Sequence, residues 1–185
     1  AVLIYVVMFD RTQWPQTHTS HPGSETVFEQ IKIVLSNTQT WWIALYAFCA
    51  WAPITIFAEL WGESFLVELL QIKIAFAGLM IGMIWLGLMI TSPALGCLSE
   101  HLKNRSKMMR VTALTGLIST TIVLYGIQSH WIAWLCLLSF GIAASGQILA
   151  FAMTKDIEPP YLIGTAIGFM NMAVVAGGAL LGPLS

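Results

Sequence analysis

Few residues in this chain can do chemistry, and most of them stand alone in apolar surroundings. Ser145, Gln147 and Asn171 each interrupt a long apolar run, and Glu59 is the carboxylate nearest the interior of such a run. A polar side chain inside an apolar segment is costly unless it faces a partner, a cavity or a solute. Amides and hydroxyls in that position can hydrogen-bond a small polar solute, and each can equally close an interhelical hydrogen bond. A carboxylate can exchange a coupling proton or, with Glu63 and Glu68 close by, belong to an exposed acidic rim. Tyr46 and Trp51 can stack on a solute or pack between helices.

Other chemistries lack their parts. No phosphate-binding glycine loop and no nucleophile–histidine–acid set is present, so ATP hydrolysis and enzymatic catalysis are not expected. Cys49, Cys97 and Cys136 lie within or at the end of apolar runs without CxxC spacing, as small packing residues do. His18 and His21 sit in a polar stretch without carboxylate or thiolate neighbours and read as loop residues. The expectation is no metal and no cofactor. The net charge of −1 brings no expectation of a nucleic-acid partner.

The elements that must hold these residues follow from composition. The 185 residues are 57% apolar and 9% charged, against roughly 25% charged in a soluble domain. A bilayer removes the need for a polar exterior, so the lipid bilayer is the expected surrounding. Five apolar segments, 40–61, 74–99, 111–127, 131–153 and 161–184, are each near or above the length needed to cross. In lipid the backbone must satisfy its own hydrogen bonds, and unbroken apolar runs do so as helices rather than as alternating barrel strands. The fold class is all-α integral membrane. Residues 1–10, "AVLIYVVMFD", are too few to span and read as the tail of another spanning helix. Residues 11–39 form a connection, polar at first, with a short amphipathic helix in "ETVFEQIKIVLSN". There Val27, Phe28, Ile31 and Val34 or Leu35 share a face suited to the membrane surface.

Orientation follows from the basic residues. With residues 99–110 in the cytoplasm, that side also receives Arg11, Lys32, Lys103, Arg105, Lys107, Arg110 and Lys155, and the outer side receives Lys73. The bias is the one expected of short cytoplasmic loops. Within the loop, "GCLSEHLKNRSKMM" has an order of its own: Gly96, Leu98, Ser99, Glu100, then Arg105 and Lys107. Gly96 permits close helix approach. Glu100 can accept from Arg105 or from a helix N-terminus, a bond that holds one conformation and breaks in another. The plainer reading is that these charges only anchor the loop in headgroups. Gly78/Gly82, Gly164/Gly168 and Gly178/Gly182 form three GxxxG pairs that predict tight helix packing. Pro53 and Pro93 predict kinks.

That loop resembles the cytoplasmic motif of the major facilitator superfamily, roughly G-x-L-(A/S)-D-R-x-G-R-R. His101 and Lys103 replace the motif's second basic residue and internal glycine, as in its weaker second copy. "TWWIALYAFCAWAPITIFAELWGESFL" is similar to helix 7 of bacterial members, and "FGIAASGQILAFAMTKDIEPPYLIGTAIGFMNMAVVAGGALLGPL" to helices 10 and 11. The resemblance implies the end of helix 6 over 1–10, the central cytoplasmic loop over 11–39 and helices 7–11 of the C-terminal six-helix bundle over 40–185. It extends to the bacterial branch that includes phagosomal transporters. It implies a secondary active transporter of a small polar solute in the inner (plasma) membrane, with protons as a second partner and the N-terminal bundle as the missing half. Substrate-cavity residues would be Tyr46, Trp51, Ser145, Gln147 and Asn171, with Glu59 for proton coupling. Gly96, Ser99, Glu100, Arg105 and Lys107 would form the gating motif. A transporter-like sensor and a fragment unable to transport are the alternatives.

Overall fold

Asn37 sits between two helices and serves both. The computed structural model of the chain describes residues 26–102, 104–126 and 129–181. The expected stub over 1–10, the polar stretch over 11–25, Lys103 and Gly182 lie outside these residues. Helix α1, Val27–Ser36, opens on a capping box in which Thr26 accepts from the Glu29 amide and Glu29 accepts from the Thr26 amide at 2.8 Å. Asn37 ends α1 in extended conformation, and its Oδ1 accepts from the Gln39 amide at 3.0 Å to start α2, Thr38–Pro53.

Helix α2 continues into a π segment, Ile54–Trp61, and α3, Gly62–Leu70, as one span from Thr38 to Leu70. Pro53 has no N–H to give the Cys49 carbonyl, and the bonding pattern slips directly after it. The slip closes where the Gly62 amide donates to the Phe57 carbonyl. A Cβ at Gly62 would stand 2.5 Å from that oxygen and 2.6 Å from Ile81 Cδ1, so the close needs glycine. Gln71, in the left-handed region at φ 54°, ends α3.

Five further helices, forming four spans, follow: α4, Ile74–Leu102; α5, Arg105–Tyr125; α6, His130–Ala144, continued by α7, Gly146–Ile157; and α8, Ile163–Leu181. Five helical stretches are long and apolar enough to cross a membrane, the fourth being α6 with α7. The connections are short, so successive spans run antiparallel. Arg105, Lys107, Arg110 and Lys155 share one end, the basic end, and Glu59, Glu63 and Glu68 lie toward the other. The helices outrun the apolar segments: the first continues to Leu70 and α5 begins at Arg105. Hydropathy marks where lipid is, whereas a helix stops at a cap, here Gln71 and Asn104.

Of the GxxxG glycines, Gly178 alone among the described ones sits in a close crossing: Gly82, Gly164 and Gly168 have no described atom within 4 Å of an added Cβ, and Gly78 meets the Glu63 side chain. Backbone meets backbone instead between α4 and α6: a Cβ at Gly141 would fall on the Ile84 carbonyl oxygen, and one at Gly87 on that of Leu138. Gly177 and Gly178 lie against Ala52 and Thr55 where α8 crosses α2. Small residues let spans approach where lipid gives no hydrophobic drive for association. Two interior clusters result, one around Ile43, Met109, Leu149 and Met170, the other around Ile54, Met80, Ile84 and Leu137.

Candidate functional site

At the basic end two polar ties join segments distant in sequence. Arg105, the first residue of α5, places Nε 3.0 Å from Asp156 Oδ2 near the end of α7. With side chains 21% and 53% exposed, such a pair contributes about 0–1 kcal/mol and separates readily. The second tie is buried. Glu158, 7% exposed, accepts with one carboxylate oxygen from Thr40 Oγ1 at 2.7 Å and from Asn37 Nδ2 at 3.0 Å. The carboxylate therefore stands at the N-terminus of α2, where the helix dipole favours an anion. It fastens the α7–α8 turn to the α1–α2 junction.

The expected gating residues are placed around these ties. Arg105 is given to Asp156 and not to Glu100. Glu100 and Lys107 are exposed and form no ion pair among the described residues. Asn104 caps α5 through the Lys107 amide at 3.1 Å. Ser99 is buried and donates to the Gly96 carbonyl at 2.8 Å within α4. Gly96 has no described atom within 4 Å of an added Cβ, so no helix of this bundle closes on it.

In the interior, Tyr46 reaches from α2 toward α5. Its hydroxyl lies 3.0 Å from Thr112 Oγ1 and 3.4 Å from the Met109 carbonyl oxygen. Gly146 makes room for this contact, since a Cβ there would fall on the Thr112 hydroxyl. A cavity of about 550 Å3 opens beside it between α2, α5 and α6. Tyr46, Thr112 and Thr120 are its polar members, and Ala50, Pro53, Gly116 and Phe140 are among its apolar ones.

Trp51, Ser145, Gln147, Asn171 and Glu59 are not among the residues that line this cavity. Trp51 is half-buried and meets Trp85 of α4 edge-on at 6.4 Å. Ser145 is buried between α6 and α7, with its hydroxyl donated to the Ile142 carbonyl at 2.6 Å. Gln147 is half-buried on α7, and Asn171 and Glu59 are exposed on α8 and the π segment. Of the five cavity candidates, Tyr46 lines this cavity, Ser145 is buried, and Trp51, Gln147 and Asn171 are not among its lining residues. No group of three or more His, Cys, Asp or Glu side chains suited to a metal occurs among the described residues.

Sequence reasoning passed over Asp156, Glu158, Thr40 and Thr112. An acid directly before Pro159–Pro160, between two spans, was the available signal at Glu158. Its partners lie 118 and 121 positions away and leave no local pattern.

No curated protein and no solved structure matches the chain. A family model does, over residues 1–183, and its description is Major Facilitator Superfamily. The match agrees with an all-helical chain carrying five membrane-length helices, held together through glycines and tied by polar groups at one end. A match over nearly all of the chain settles the family: the protein is a multi-pass membrane protein of the Major Facilitator Superfamily, and so of a family of membrane transporters.

Proposed function

We propose that this chain is the greater part of the C-terminal bundle of a secondary active transporter. That transporter moves a small polar solute by alternating access and is coupled to protons. The observation that carries the reading is the contrast between the two kinds of contact. The glycine crossings of α4 with α6 and of α2 with α8 make a stiff body, whereas the Arg105–Asp156 tie at the basic end is wet and separable. Rocking of bundles about a central site requires rigid bodies, and a separable tie lets the basic end of this one adjust as it moves.

In this reading the basic end faces the cytoplasm of a bacterium and the protein resides in the inner membrane, supported by the positive-inside bias. Trp51, Gln147 and Asn171 are assigned to the solute side, and Glu59 to proton exchange. The second bundle supplies the opposite wall. Solute counterflow tests the assignment: vesicles carrying the full-length protein are loaded with unlabelled amino acids, nucleosides or sugars and offered labelled ones. Exchange of one class supports the reading. Saturable binding without exchange indicates a sensor instead.

A further inference from the structure

We propose that α1 is a membrane-surface anchor whose open apolar side inserts at the headgroup–acyl boundary of the leaflet at the basic end. The helix is short, and its capping box helps it form at its N-terminus. One side is already occupied. Val34, 1% exposed, packs with Leu162 and Ala166, and Gln30 Oε1 accepts from Thr165 Oγ1 at 2.9 Å. Beside that strip Phe28, Ile31 and Leu35 recur at i, i+3 and i+7 and stay open, with Phe28 78% exposed. Glu29, Lys32 and Ser36 take the remaining side, with Ile33 exposed at its far edge. The apolar stripe is thus wider than the described protein surface that covers it, and the surplus fits an interfacial phase.

The adjoining surface identifies that phase as lipid. The Leu35 carbonyl accepts from Trp41 Nε1 at 2.8 Å, which fixes α1 to the first turn of the first span. Trp41 is half exposed and stacks edge-on against Phe169 of α8 at 5.1 Å. A tryptophan at the start of a membrane-length helix marks the polar edge of the bilayer, and the open side of α1 continues that edge. Lys107, Arg110 and Lys155 gather at the same end and complement anionic headgroups. Because Gln30 and Asn37 hold α1 to α8 and to the Glu158 turn, the anchor fixes the depth of the whole basic end.

The test uses the full-length protein in vesicles of phosphatidylcholine and phosphatidylglycerol. A bimane label is attached at Phe28→Cys or at Lys32→Cys in a cysteine-free background. The label at position 28 is expected to be quenched severalfold more by nitroxide carried on lipids near the headgroups than by aqueous iodide, and the label at 32 to show the reverse order. Iodide quenching at 28 equal to that at 32 overturns the proposal. Shielding of position 28 from both quenchers also overturns it, since protein then covers that side.

Discussion

Arg105 opens α5 and Asp156 nearly closes α7, and they meet at 3.0 Å although each stands at the wrong end of its own helix. A cation at a helix N-terminus and an anion at a C-terminus both oppose the helix dipole, by about 0.3–1 kcal/mol each at exposed sites. The pairing offsets that cost without adding much beyond it. A contact placed for stability alone would carry the opposite charges, and under the proposed transport cycle this is the tie that parts between states.

The charge swap exposes this directly. Arg105→Asp combined with Asp156→Arg keeps the pair and corrects both dipoles, so the double variant should melt no lower than the native protein. Arg105→Ala alone should shift stability by less than about 1 kcal/mol while lowering uptake severalfold. Melting curves and initial uptake rates on the same preparations check both statements.

Glu158 should behave differently, because its tie is buried. Glu158→Ala removes the acceptor from Thr40 and Asn37 and leaves donors unpaired, at an expected cost of about 1–3 kcal/mol. Glu158→Gln retains an acceptor oxygen and should cost less. Equal melting temperatures for Glu158→Ala and the native protein would show that the clamp adds nothing.

Alanine at the glycines should divide into two groups. Gly141→Ala and Gly87→Ala drive a Cβ into a facing backbone carbonyl and should lower bundle stability by several kcal/mol, the range of severe overpacking. Gly82→Ala and Gly168→Ala enter open space in this bundle and should leave it unchanged or slightly stabilised through helix propensity. Yield of monodisperse protein and melting temperature separate the groups.

Asn171 is exposed on α8, so Asn171→Ala should alter stability by less than about 0.5 kcal/mol. If it meets solute, the same variant should raise the solute concentration for half-maximal uptake severalfold. Unchanged uptake parameters would remove Asn171 from the solute side.

The sequence made the spans legible because lipid imposes one demand on every residue of a segment, and that demand survives averaging over twenty positions. Helix ends were less legible: Gln71 and Asn104 stop or start helices by backbone geometry and a single side-chain bond, neither of which alters hydropathy. The GxxxG spacing pointed to Gly178, which packs on Thr55, but not to what Gly82, Gly164 or Gly168 would meet, since spacing shows that two glycines share a face but not what that face meets. Gly87 and Gly141, on different helices, carry the contact. Tyr46 reads from the sequence as an aromatic able to stack on a solute, and its hydroxyl finds Thr112 through folding alone. The ties at Asp156 and Glu158 were invisible for the same reason, because charge identity is local and partnership is not.

The most direct test of the account is solute accumulation by the full-length protein in proteoliposomes with an imposed pH gradient, measured with and without a protonophore. The account predicts accumulation above the external concentration that collapses when the protonophore is added. Uptake that merely equilibrates, with the gradient intact and unaffected by the protonophore, would contradict proton-driven transport.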